Sequence, residues 1–128
     1  MPVLGLGMDV CSIDRIRKIL SGPHGERFVA RVYTDAEKAV CGARADRATA
    51  YAARFAAKEA LVKALGAPPG LRWLDMEVTR AEGPPSFRLS GVARAEVERR
   101  GGELLLALTH DAGVAAATVI IQGQGDNR

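Results

Sequence analysis

Arg54-Phe55-Ala56-Ala57-Lys58-Glu59-Ala60-Leu61-Val62-Lys63-Ala64-Leu65-Gly66 reads as one helix with an alanine stripe and a charged arc. At about 3.6 residues per turn, Ala53, Ala56, Ala57, Ala60 and Ala64 share one side, while Arg54, Lys58, Glu59 and Lys63 fan across the other with Phe55 and Val62 among them. Small side chains let another backbone approach closely. Glu59 and Lys63 are four residues apart, as are Arg54 and Lys58, which sets a carboxylate beside ammonium groups. That set suits a metal ion held together with a polyphosphate; the same charges also suit a solvated face with ordinary ion pairs. The helix is expected to begin at Thr49 or Tyr51 and to stop at Gly66, with Pro68-Pro69 beyond.

Working outward, Val3 to Val10 is an apolar strand with glycines at positions 5 and 7, the pattern of a strand that another backbone approaches, and it ends at Asp9. Ser12 caps a helix whose Ile13, Ile16, Ile19 and Leu20 form the apolar face, with Arg15, Arg17 and Lys18 outside and Gly22-Pro23 as the stop. Phe28 and Val32 mark a further short helix. Thr34-Asp35-Ala36-Glu37 is a capping box that opens another, and a structural role suffices for Thr34 and Glu37. From Trp73 to Thr79 apolar and polar residues alternate, and Phe87 to Leu89 follows across Gly83-Pro84-Pro85, which reads as a hairpin. A helix around Val92 to Val97 closes at Gly101-Gly102. Leu104–Thr109 and Val114–Ile121 are strands joined at His110-Asp111-Ala112-Gly113, hence antiparallel neighbours. The order β-α-α-α-β-β-α-β-β implies an α+β fold: a single domain over residues 1–122, its mostly antiparallel sheet packed against the long central helix, with 123–128 as a flexible tail.

The chain has 128 residues, 48% hydrophobic and 26% charged, which fits one globular domain and excludes a disordered chain. No apolar stretch approaches the roughly 20 residues of a membrane span, and the first residues lack the basic and apolar regions of a signal peptide, so a cytoplasmic location is expected. Cys11 and Cys41 make neither a disulfide framework nor a zinc pattern. A net charge of +3 favours acidic partners. The six aromatic residues do not interleave with the basic ones, which argues against nucleic acid as the partner.

Asp9, at a strand end, and Glu59, mid-helix, supply two hard oxygen ligands where the strand meets the alanine stripe, a donor set that suits Mg²⁺ completed by water and substrate phosphates. Taken alone, Asp9 reads equally as a turn or helix-start aspartate serving the backbone. His110, at a turn after an apolar strand, is placed to reach a phosphate or take a proton, or simply to bond backbone. There is no GxxxxGK[ST] loop, GxGxxG, HExxH or nucleophile elbow.

Four segments together resemble the holo-acyl carrier protein synthases, the small phosphopantetheinyl transferases: Gly5-Leu6-Gly7-Met8-Asp9-Val10 with Ile13, Arg15 and Ile16; Phe28 to Glu37; Ala53 to Ala64; and Leu108-Thr109-His110-Asp111. The resemblance runs from about Gly5 to Ile121. It implies transfer of 4′-phosphopantetheine from coenzyme A to a serine of an apo carrier protein, with release of adenosine 3′,5′-bisphosphate. It also implies Mg²⁺ on Asp9 and Glu59, and phosphates at Lys63 and Arg54 with Lys58 as a helper. His110 and the Gly83 loop fall beside the coenzyme; the serine proton is expected to go to Glu59, directly or through a metal-bound water. Arg15 matches the carrier-binding arginine, with Arg17, Lys18 and Arg31 extending that face toward an acidic carrier of fatty-acid or polyketide synthesis. Trimers with active sites between subunits are the family's habit. Where the family has Gly-Lys-Pro, this chain has Gly83-Pro84-Pro85, so a loop lysine is missing, and Asp14 is an acidic residue in the basic first helix. The alternative is a relative that binds carrier or coenzyme A without turnover.

Overall fold

Two glycines decide how the sheet meets the central helix. The computed structural model describes residues 2–80 and 83–123. In it β1 (Val3–Ser12) lies directly on α4 (Arg47–Leu65). A Cβ on Gly7 would overlap the carbonyl oxygen of Ala60, and one on Gly5 would stand 2.5 Å from that of Ala64. Backbone therefore rests on backbone, glycine on the strand facing alanine on the helix. Ala56, Ala60 and Ala64 are buried there, as the stripe implied.

Between β1 and α4 run α1 (Ile13–Ser21), α2 (Gly25–Val32) and α3 (Asp35–Gly42); after α4 come β2 (Met76–Thr79), β3 (Ser86–Leu89), α5 (Gly91–Arg99), β4 (Gly102–Asp111) and β5 (Val114–Gly123). The α+β class and order hold, with the helical stretch resolved into four helices because Tyr33-Thr34 separates α2 from α3. One antiparallel sheet has the order β1-β5-β4, and β2 and β3 form a separate hairpin. Leu104, Leu106 and Leu108 of β4 and Ala115, Ala117, Val119 and Ile121 of β5 turn inward toward α4. The caps follow the sequence: Ser12 accepts from the Arg15 amide, Thr34 and Glu37 complete their capping box, and Gly66 ends α4 at φ 76°. Asp46 caps α4 through the Thr49 amide, which starts that helix at Arg47, before the expected Thr49 or Tyr51. Trp73–Asp75, expected as the start of a strand, is one turn of 3₁₀ helix. The reason is local. The Asp75 amide donates to the Arg72 carbonyl and the Met76 amide to the Trp73 carbonyl, which closes the turn, and Lys58 also donates to the Trp73 carbonyl. Residues 124–128 of the expected tail lie outside the described residues, while Gly123 still pairs with Gly102 in the sheet. No helix among the described residues is long and apolar enough to cross a membrane.

Beneath α4 a charged pair is sealed in the core. The Lys58 ammonium donates to Glu37 Oε1 at 2.7 Å, to the Val32 carbonyl at 2.7 Å and to the Trp73 carbonyl at 3.1 Å. Glu37 also accepts from the amides of Thr34 and Val78. Every ammonium proton has a partner, and both side chains are fully buried. Burial pushes the Lys58 ammonium toward losing its proton, and Glu37 opposes that shift. The pair thus pins the end of α2, the start of α3, the 3₁₀ turn and β2 to a single point on α4. Lys58→Met strands the Glu37 carboxylate in the core; a loss of about 3–5 kcal/mol is expected in urea unfolding followed by circular dichroism.

Candidate active site

Alternation along β1 sends Gly5, Gly7, Asp9 and Cys11 toward α4. The glycines bring the backbones together, and Asp9 is the next inward residue, so it arrives beside the helix face carrying Glu59 and Lys63. Lys63 Nζ donates to Asp9 Oδ1 at 2.9 Å and to the Met8 carbonyl at 3.2 Å. Partial burial raises the Glu59 carboxyl above its ordinary value of 4.5; the Asp9 carboxylate beside it, by charge and hydrogen bonding, raises it further, while Arg15 and Lys63 pull it back. Arg15, from the first turn of α1, therefore lies at the edge of this cluster as well as on the exposed face of its helix. Among the described residues no three His, Cys, Asp or Glu side chains converge as an all-protein metal cage. Two crowded carboxylates beside a lysine instead fit an ion that keeps several waters and takes substrate phosphate oxygens, the habit of Mg²⁺.

A second cluster lies on the other side of α4. A cleft of about 470 Å³ is lined by Arg44, Asp46, Thr49, Arg54, Arg80 and His110 over a floor of alanines, the Asp46 carboxylate accepting from Thr49 and Arg17. Arg54 is 5% exposed; its Nη1 donates to the Ala50 carbonyl at 3.2 Å, and its Nε is buried without a partner. Three guanidinium groups and an imidazole around one cleft make an anion site, and the unpartnered Nε leaves a donor for the anion to satisfy. Arg54 and Glu59 are five residues apart, which is about 140° around the helix. The sheet lies between them, with Asp9 on edge strand β1 and His110 on the opposite edge strand β4.

Asp9, Glu59 and Lys63 thus come together, and so do Arg54 and His110. Lys58, expected as a phosphate helper, does not join either group: it is sealed in the core with Glu37 and three acceptors, so no donor remains for a phosphate. Arg54 is buried at the cleft, not displayed on an open charged arc. On α1, Lys18 pairs with Asp14 at 3.2 Å, and Arg17 lies 3.5 Å from Asp46, so part of the expected basic face is already neutralised. Arg15 and Arg31 are exposed. Gly83 occupies the β2–β3 loop with φ 77°, next to residues outside the described set. Sequence reasoning missed Arg44 and Arg80. Both lie in irregular segments with no period to assign them a direction, and only the fold turns them toward His110.

The sequence matches the family described as the 4′-phosphopantetheinyl transferase superfamily over residues 5–117. A holo-[acyl-carrier-protein] synthase of Myxococcus xanthus is 67% identical over 98% of this chain and 100% of its own length. One from Anaeromyxobacter dehalogenans is 58% identical over 96% and 98%. Among solved structures, the holo-ACP synthase of Plasmodium yoelii superposes with a TM-score of 0.81 at 26% identity, covering 97% of this chain and 98% of that one. The Helicobacter pylori holo-[acyl-carrier-protein] synthase in complex with coenzyme A gives 0.77 at 29% identity, covering 91% and 99%. With the fold, the four segments and two near full-length relatives in agreement, the chain belongs to the 4′-phosphopantetheinyl transferase superfamily and, within it, to the holo-[acyl-carrier-protein] synthases.

Proposed function

We propose that this enzyme moves 4′-phosphopantetheine from coenzyme A to a serine hydroxyl of an apo acyl carrier protein, releasing adenosine 3′,5′-bisphosphate. The observation that carries this reading is the crowding of Asp9, Glu59 and Lys63 where β1 meets α4. Mg²⁺ held by Asp9 and Glu59 would neutralise charge on the diphosphate as its anhydride bond breaks. Lys63, exposed along much of its length, is free to turn from Asp9 to a phosphate oxygen. The serine oxygen bonds to the phosphorus of the pantetheine phosphate, and the bridging oxygen leaves with the adenosine bisphosphate. The serine proton would pass to Glu59, directly or through a bound water. The guanidinium-lined cleft with His110 takes the adenosine bisphosphate end, because its cationic groups suit the phosphates. Arg15 and Arg31 steer an acidic carrier toward the Asp9–Glu59 cluster, and Arg17 and Lys18 add less because Asp14 and Asp46 share their charge. An intact Asp9–Glu59–Lys63 cluster favours turnover over a binding-only relative, despite Pro84 in place of the family's loop lysine.

Two features support a homotrimer with sites shared between subunits. The outer face of the sheet is apolar and open: Leu6 is 64% exposed, Met8 59%, Val10 62% and Leu105 50%, more than a lone small domain normally leaves in water. The two half-sites lie on opposite sides of α4, so a neighbouring subunit can bring its anion cleft to this chain's carboxylates. Buried free thiols at Cys11 and Cys41 fit a reducing compartment, and we place the reaction in the cytoplasm.

Intact-mass spectrometry of an apo acyl carrier protein incubated with the enzyme, coenzyme A and magnesium tests the whole reading. The expected result is a gain of one phosphopantetheine that disappears with a chelator; no gain on fatty-acid or polyketide carriers by folded enzyme overturns it. Glu59→Gln should lower kcat at least about 100-fold. Because the folded-state pKa of Glu59 is raised, its ionisation opposes folding. That penalty is absent below the ordinary 4.5, grows as pH rises past it and is complete above the folded-state value. Without magnesium, Glu59→Gln should therefore melt above the parent at pH 7–8 and level with it near pH 4; the reverse order in scanning calorimetry refutes the crowded-carboxylate account. Arg54→Met should raise the coenzyme A KM roughly tenfold while changing kcat little, and an unchanged KM removes Arg54 from the coenzyme site. Met8→Glu should convert trimer to monomer in sedimentation velocity and lose turnover with it; a parent enzyme that sediments as an active monomer contradicts the shared site.

A further inference from the structure

Three backbone carbonyls where the start of β1 meets the end of α4 have lost their ordinary partners. In the β1–β5 ladder Val3 pairs with Gln122 and Gly5 with Ile121, so Leu4 is an extra residue whose carbonyl leaves the ladder. At the end of α4 the closing amides of Gly66 and Ala67 go to the carbonyls of Lys63 and Val62, which leaves those of Ala64 and Leu65 open. One side chain reaches all three. Arg100, at the end of α5, donates from Nη1 to Leu4 at 3.0 Å and to Ala64 at 3.1 Å, and from Nη2 to Leu65 at 2.9 Å. Its Nε donates to Glu96 at 3.0 Å, and Arg99 and Arg100 together hold the Glu96 carboxyl down to about 2, so the anchor stays charged throughout the working pH range. Gly5 makes room for this fork, since a Cβ there would stand 3.1 Å from Nη1.

We propose that Arg100 is a positioning residue for the Asp9–Glu59–Lys63 cluster, acting as a clamp between β1 and α4. This rests on the reading that Asp9 and Glu59 hold a divalent cation. The Gly7–Ala60 and Gly5–Ala64 contacts set how closely strand and helix approach but are non-directional packing, which leaves their relative angle soft. Arg100 supplies directional hydrogen bonds to both, at Leu4 and at Ala64, the residue after Lys63. With both fixed, the angle between strand and helix is set, and with it the separation of Asp9 from Glu59 and Lys63. A guanidinium suits this role because its planar fork serves three acceptors and its charge complements the helix C-terminus. An ammonium lacks the planar fork.

The test uses the full-length enzyme with manganese(II) in place of magnesium, titrated into its coenzyme A complex and followed by electron paramagnetic resonance, together with steady-state kinetics well below the melting temperature. The parent should show a manganese site that Glu59→Gln removes. Arg100→Met should bind manganese roughly tenfold more weakly and lose kcat, with the KM for the carrier unchanged because the Arg15 face is untouched. Arg100→Lys should fall between the two. Parent-like manganese affinity and kcat in a folded Arg100→Met enzyme that merely melts earlier would overturn the clamp. If Arg100→Met does not fold, Arg100→Lys decides: weaker manganese binding than the parent supports the proposal, and equal binding overturns it. A parent enzyme with no Glu59-dependent manganese site overturns the metal reading itself, an outcome distinct from failure of the clamp alone.

Discussion

The backbone contact between β1 and α4 is the constraint on which the molecule depends. Gly7 against Ala60 and Gly5 against Ala64 allow an approach that side chains on either element would prevent. Burying so little side chain at a central contact forgoes apolar area, which other parts of the core supply: Leu61, Leu65 and Met76 around α4, with Val119 and Ile121 from β5. What the close approach provides is placement. Asp9 comes within 2.9 Å of a lysine 54 positions along the chain and beside a carboxylate that it perturbs. Holding the two carboxylates together raises the Glu59 carboxyl's hold on its proton, which Lys63 and Arg15 offset only in part.

The charged residues of α4 meet separate fates according to their direction around the helix. Glu59 and Lys63 flank the β1 edge; Arg54 turns toward β4 and lines the anion cleft; Lys58 points into the α2, α3 and β2 layer and serves the fold alone. Sealing the Lys58–Glu37 pair in the core costs desolvation that close hydrogen bonding offsets, and removing either partner leaves an uncompensated charge. A motif residue can thus be indispensable to an enzyme without touching its substrate.

Much of this was legible in the sequence. The alanine stripe at helical spacing, the paired strand glycines, the Thr34–Glu37 capping box and the Gly66 stop are local signals, and each produced the element it implied. Asp9, Glu59 and Lys63 were legible because strand alternation and a helix face are rigid directions, although Asp9 does not end its strand as expected: β1 runs on to Ser12. The Lys58–Glu37 pair was not: its partners are 21 residues apart and belong to different helices, and helical spacing places Lys58 near Glu59 without saying which layer covers it. Arg44 and Arg80 escaped for a related reason, since an irregular backbone gives a side chain no direction until the chain is folded. Trp73–Asp75 misread as strand because alternation over three residues cannot separate a pleat from a 3₁₀ turn, and Lys58, which donates to the Trp73 carbonyl, is 15 residues away in sequence.

The division of the site across α4 and the bare outer face of the sheet have one physical origin. A strand set close enough to a helix to bring Asp9 to Glu59 has only glycine facing inward at positions 5 and 7, so its larger apolar residues, Leu6, Met8 and Val10, necessarily alternate outward. Those residues require cover. In the assembly proposed above, neighbouring copies would cover them, and a half-site at the β1 edge of one copy would be completed by the guanidinium cleft at the β4 edge of another. The geometry that builds the carboxylate pair in one subunit also creates the sticky surface through which a second subunit would supply the rest.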